Sequence, residues 1–122
     1  MFRFFKSSMY ALEGLWFGLR TERNVQIWFG VLFLNLAMAF WLDISKIEWL
    51  FVLSVTFTIG ISEYMNTAIE ALADRVSQER EEAIKRVKDL AAAATFCAST
   101  LTFIVSAVIY IPKIIEKFEI SI

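Results

Sequence analysis

The sequence of 122 residues contains no histidine, one cysteine (Cys97), one proline and four glycines, and only 20% of it is charged. With no histidine and a single thiol, no Cys/His metal site can be assembled and no disulfide can close within the chain. A net charge of −1 provides no broad basic field to hold nucleic acid. Gly14, Gly18, Gly30 and Gly60 are scattered and form no glycine-rich phosphate loop. The abundant component is apolar: 58% of residues, with 12 Phe and 4 Trp. Soluble domains hold about 45–50%, and disordered chains are poor in such residues. The length suits one domain spanning 1–122 and is too short for a two-domain soluble enzyme.

The apolar residues come in membrane-length blocks. Val25–Leu42 is 18 residues without charge, with Gln26 and Asn35 as its strongly polar members, and Leu90–Ile111 is 22 residues without charge. Trp49–Ser62 is 14 uncharged residues, short alone, but it continues as an amphipathic helix through Ala73. A spanning helix needs about 20 mostly apolar residues, so three spans are expected, at about 25–42, 48–73 and 90–111. Charge-free runs of this length argue against a soluble helical bundle. Residues 2–20 differ: Phe2, Phe5, Met9, Leu12, Trp16 and Leu19 recur every three or four positions among polar residues. That pattern suits an amphipathic helix lying in the membrane–water interface, and it lacks the long apolar region of a secretory signal. The expected fold is therefore an all-α integral membrane protein with an amino-terminal surface helix and three transmembrane helices.

Lys and Arg set the orientation. Arg3, Lys6, Arg20 and Arg23 precede the first span; Arg75, Arg80, Lys85, Arg86 and Lys88 occupy the second connection; Lys46 stands alone in the first. The positive-inside rule then puts the amino end and second connection in the cytoplasm, with Trp41 and Trp49 flanking the outer connection. The second connection is expected to extend the second helix, turn tightly and re-enter at Lys88. Ala94, Ala98, Thr102 and Ser106, four apart, form a close-packing face; spacing does not say whether it packs within the chain or between chains.

Glu63, Asn66, Glu70 and Asp74 lie three, seven and eleven residues apart, which at about 100° per residue places them in one stripe of the second helix. An acidic residue at the centre of a span costs about 2.5–3.5 kcal/mol on insertion scales, and such residues usually mark function. Glu22 and Asn24 precede the first span, and Lys88 and Asp89 the third, so all three clusters should meet around a shallow cytoplasmic pocket. Hard carboxylate oxygens beside a lysine suit Mg²⁺-dependent phosphoryl transfer. Glu63, deepest and partly desolvated, is the candidate base, and the Lys88 ammonium can balance nucleotide phosphates. Blander readings stand beside these: Glu22 as a helix-capping charge, Glu79–Lys88 as a solvated connection, and Glu63 with Asn66 and Glu70 as a polar seam. Periodicity and charge alone do not choose between a kinase, a proton-coupled transporter and a small oligomeric channel.

The stretch Glu63-Tyr-Met-Asn66-Thr-Ala-Ile-Glu70-Ala-Leu-Ala-Asp74 closely resembles the signature of the prokaryotic diacylglycerol kinase family, which includes the undecaprenol kinases. Lys88-Asp89 followed by small residues, Gly14, and the Glu22-Arg23-Asn24 turn match further parts, so the resemblance covers about residues 6–113. It implies a homotrimeric membrane kinase of the bacterial cytoplasmic (inner) membrane that uses ATP and Mg²⁺ to phosphorylate a lipid alcohol. By the same resemblance Glu63 is the catalytic base and also meets the lipid, Glu22 and Glu70 hold Mg²⁺, and Asn66 supports the active centre. Lys88, Asp89, Tyr10 and Asp74 then lie along the nucleotide, and Arg3 near the lipid. Glu22-Arg-Asn24, Ile47-Glu-Trp-Leu50 and Ile111-Pro-Lys-Ile114 look more like the undecaprenol kinase branch than like enzymes that make phosphatidic acid from diacylglycerol.

Overall fold

The computed structural model describes residues 1–79 and 81–121, with side chains through residue 119. Among the described residues the chain is four helices: α1 (Phe2–Thr21), α2 (Arg23–Leu42), α3 (Lys46–Val76) and α4 (Glu82–Ser121). Helices α2, α3 and α4 are each long and apolar enough to cross a membrane. At about 1.5 Å per residue the 31-residue α3 is about 46 Å long, against about 30 Å of hydrocarbon. Its last turns therefore project beyond the apolar layer.

The sequence-based re-entry at Lys88 falls seven residues inside a longer helix. Helix α3 ends at Ser77, which turns extended, and α4 is already helical at Glu82. The charged connection is thus mostly helix, because its Glu, Lys and Arg are strong helix formers and it contains neither Gly nor Pro. Arg80, one of the basic residues used for orientation, lies outside the described residues. At the other end α4 runs through Pro112 to Ser121 rather than stopping near Ile111. A proline inside a helix removes one backbone hydrogen bond, and here side chains beyond it hold the helix in place. Lys113 Nζ pairs with Glu48 at 3.3 Å, and Lys117 Nζ donates to the Trp41 carbonyl at 2.9 Å while lying over the Trp41 ring.

The α2–α3 turn is closed by local chemistry. Asp43 takes the left-handed conformation (φ 51°) that ends α2, a position that aspartate tolerates. Ser45 and Glu48 then form a reciprocal capping box at the start of α3. Beside it, Ala39, Leu42, Ile44, Val52, Ile109 and Tyr110 make one apolar cluster.

Deeper in the span the three helices are joined by polar contacts. The Thr56 carbonyl accepts from Trp28 Nε1 at 2.7 Å, and its hydroxyl accepts from Asn35 Nδ2 at 3.0 Å. Thr102 Oγ1 donates to the Val55 carbonyl, and Tyr110 Oη to the Asn35 carbonyl. These bonds answer the question left by the small-residue face: Ala98 and Thr102 are buried against α3 of the same chain, whereas Ala94 is exposed. Large apolar side chains on the opposite faces, such as Phe33, Phe40, Phe96 and Phe103, are exposed, as the lipid-facing surface of a membrane protein must be.

Gly60 lets the Trp28 indole lie flat against α3, where a Cβ would overlap the ring. Gly60→Ala is expected to destabilise the chain by about 1–3 kcal/mol, the usual cost of overpacking. Reversible unfolding in mixed detergent–SDS micelles measures it, with Gly30→Ala, whose Cβ meets nothing, as the silent control.

Candidate functional site

Helix α3 carries the site because it is stiff and extends from hydrocarbon into water. Going along it, Glu63 is half-buried, Asn66 is buried, and Glu70 and Asp74 are exposed. Asn66 is thus the most enclosed of the four, and the two carboxylates nearer the end of α3 are open. Glu63 and Glu70, seven residues apart, lie on one face of α3. Glu63 Oε2 and Asn66 Oδ1 are each shut off from solvent with no hydrogen-bond partner. A buried polar atom left unpaired costs about 1–3 kcal/mol, so Glu63 and Asn66, three residues apart on α3, are the points of this helix that most need an explanation.

The stripe is shared between two cavities. Glu63 borders an inner one of about 320 Å³ between α2, α3 and α4, with Asn24, Trp28, Asn35, Ser99 and Ser106 among its walls. Asp74, Lys88 and Asp89 border an outer cleft of about 490 Å³ where α3 gives way to α4, together with Ser77, Glu81 and Lys85. There Lys88 Nζ pairs with Asp74 across the two helices, and Lys85 pairs with Asp89 along α4 at 2.9 Å. The connection that could have been only a solvated charged turn thus forms the wall of a cleft. Eleven residues of helix set Glu63 and Asp74 about 16 Å apart along the axis, so no single ion touches both.

Glu22 is the one residue between α1 and α2, extended at φ −111° and ψ 120°. It stands at the N-cap of α2, where a negative charge complements the helix dipole, but its side chain makes no cap hydrogen bond. The junction is tied to α3 by Tyr64, whose hydroxyl donates to the Leu15 carbonyl at 2.8 Å. Tyr10 and Arg3 are exposed on α1 and border neither cavity. Among the described residues, no three acidic side chains come together as a metal cluster within one chain. The gathering of all the carboxylates around one pocket, expected from topology, is not seen in a single chain.

Of the inner cavity's walls, Glu63, Asn24, Asn35, Thr102 and Ser106 stand out in the sequence, whereas Trp28 and Ser99 do not. Asn35 is visible as an amide within a charge-free run, but its bond to Thr56 spans 21 residues and only packing creates it.

The prokaryotic diacylglycerol kinase family model matches residues 9–110. An undecaprenol kinase of Bacillus subtilis is 33% identical over 112 residues, covering 92% of this chain and 91% of that protein. A diacylglycerol kinase of Pseudomonas aeruginosa is 34% identical over 110 residues, covering 88% and 87%. A diacylglycerol kinase of Escherichia coli K12 is 31% identical over 99 residues, covering 79% of each. The matched region takes in the stripe of α3, the Glu22 junction and the Lys88–Asp89 cleft together, and the chain belongs to the prokaryotic diacylglycerol kinase family and is a membrane lipid kinase.

Proposed function

We propose that the chain transfers the γ-phosphate of ATP to the hydroxyl of a membrane lipid at the cytoplasmic face, with undecaprenol as acceptor ahead of diacylglycerol. The observation that carries this is the orphaned carboxylate oxygen of Glu63, at the border of a cavity within the span and on the same helix as a charged cleft. A lipid hydroxyl reaching the inner cavity would donate to Glu63. As Glu63 takes the proton, the lipid oxygen bonds to the γ-phosphorus, the bond to the β-phosphate oxygen breaks and ADP leaves. Lys88, on the outer cleft, balances phosphate charge, with Asp89, Asp74 and Tyr10 assigned to the nucleotide and Arg3 to the lipid surface. Undecaprenol stands first because of its branch-like motifs and the extent of the Bacillus match.

The donor set fits Mg²⁺, which takes hard oxygens and usually one or two carboxylates besides substrate phosphates. Glu22, at the helix junction, and Glu70, exposed on α3, would hold it, with Asn66 Oδ1 as a nearby acceptor. Bound there, the ion neutralises charge on the transferred phosphoryl group. Since one chain gathers no three-acid cluster among its described residues, a homotrimer that completes each site, as the family resemblance implies, is the assembly we favour. The amino end and the α3–α4 connection face the cytoplasm of a bacterial inner membrane, and α1 lies in the interface. Membership in a kinase family leaves no observation favouring a channel or a proton-coupled transporter.

Purified protein in lipid is expected to transfer labelled phosphate from MgATP to undecaprenol faster than to diacylglycerol when the two are offered side by side. The reverse ranking would reassign the acceptor. Glu63→Gln is expected to lower turnover by roughly 10²–10⁴-fold, the range for a lost general base, with an unchanged unfolding midpoint. Glu22→Ala and Glu70→Ala should each raise the Mg²⁺ concentration for half-maximal rate by tenfold or more, about the cost of losing a charged ligand. A magnesium titration of initial rates reads that shift directly.

A further inference from the structure

We propose that Tyr64 is a positioning residue that latches α1 onto α3 and so sets where Glu22 stands relative to Glu63. The proposal rests on the kinase reading above. Tyr64 directly follows Glu63, so its placement and that of the base are coupled through one peptide. Its hydroxyl donates to the Leu15 carbonyl at 2.8 Å, using the second lone pair that a helical carbonyl retains. Its ring lies against Gly18 so closely that a Cβ there would overlap it.

Gly18 is the one buried residue of α1, and its carbonyl accepts the backbone N–H of Glu22 at 2.9 Å. The residue that Tyr64 presses is thus the one that holds Glu22 in place. From the other side the Trp28 indole meets the Tyr64 ring edge-on at 6.4 Å, and Trp28 is itself fixed by the Thr56 carbonyl. Gln26 Nε2 braces the junction by donating to the Leu19 carbonyl. Among the described residues, no other side-chain hydrogen bond joins α1 to α3. Helix α1 packs mainly on α2, so the Tyr64 hydroxyl and the close approach at Gly18 are what tie it to α3. The Tyr64 hydroxyl is already engaged with α1, so its role is placement rather than chemistry.

Two variants test this in opposite ways. Tyr64→Phe keeps the ring and deletes the hydroxyl; Gly18→Ala keeps the hydroxyl and displaces the ring. Amide hydrogen exchange over Leu15–Glu22 should quicken roughly three- to tenfold in Tyr64→Phe, the worth of one net hydrogen bond, and at least as much in Gly18→Ala. The Mg²⁺ concentration for half-maximal rate should rise by a similar factor in both, while the unfolding midpoint of Tyr64→Phe stays put. Unchanged exchange would overturn the latch. Faster exchange with an unaltered magnesium requirement would overturn its link to Glu22. Full activity in Glu63→Gln would instead remove the kinase base and leave the exchange result standing on its own.

Discussion

Hydrocarbon offers no partner to a stranded polar atom, so within a span every donor and acceptor must be answered by the protein. Most of this chain obeys. The Thr56 carbonyl takes the Trp28 indole N–H, and the Thr56 hydroxyl takes the Asn35 amide while donating to the Val52 carbonyl. Helices α2 and α3 are thereby pinned near one residue, and Thr102 adds α4 through the Val55 carbonyl. Two turns further along α3 the rule is broken, at Glu63 Oε2 and Asn66 Oδ1. The satisfied layer supplies a rigid frame, and the unsatisfied one is the place where that frame tolerates an energetic cost. Local rules tend to be violated at working sites and compensated elsewhere.

The two ends of the molecule are built differently for the same reason. At the α2–α3 end, the capping box of Ser45 and Glu48, the left-handed Asp43 and the ties from Lys113 and Lys117 close a short turn. At the opposite end, one extended residue separates α1 from α2, and α3 and α4 part around a cleft walled by charges. Exposed ion pairs such as Lys85–Asp89 contribute little to stability, so the helices are held by the buried polar bonds and the closed turn rather than by the charges of the cleft.

Much of the architecture was legible from the chain alone, because charge-free runs report the apolar layer directly. Val25–Leu42 falls within α2, and the four polar residues of the stripe all lie on α3. Helix ends were less legible. The charged connection offered no breaking residue, so α4 begins at Glu82 instead of Lys88, and the ties at Lys113 and Lys117 carry α4 past Pro112. The small-residue face on α4 was visible as a pattern, but its partner was not. Thr102 chooses α3 through a bond to Val55, 47 residues away.

The sequence by itself determined that the chain is helical and membrane-spanning, that its acidic stripe lies on one helix face, and which family it resembles. These follow from short-range periodicity and from the cost of placing charge in oil. Only the tertiary structure decided that Glu63 and Asp74 border separate cavities, that Glu22 stands alone between α1 and α2, and that Tyr64 hydrogen-bonds α1 from α3. Each of those depends on which helix packs against which, and side chains tens of residues apart meet only when the bundle is assembled.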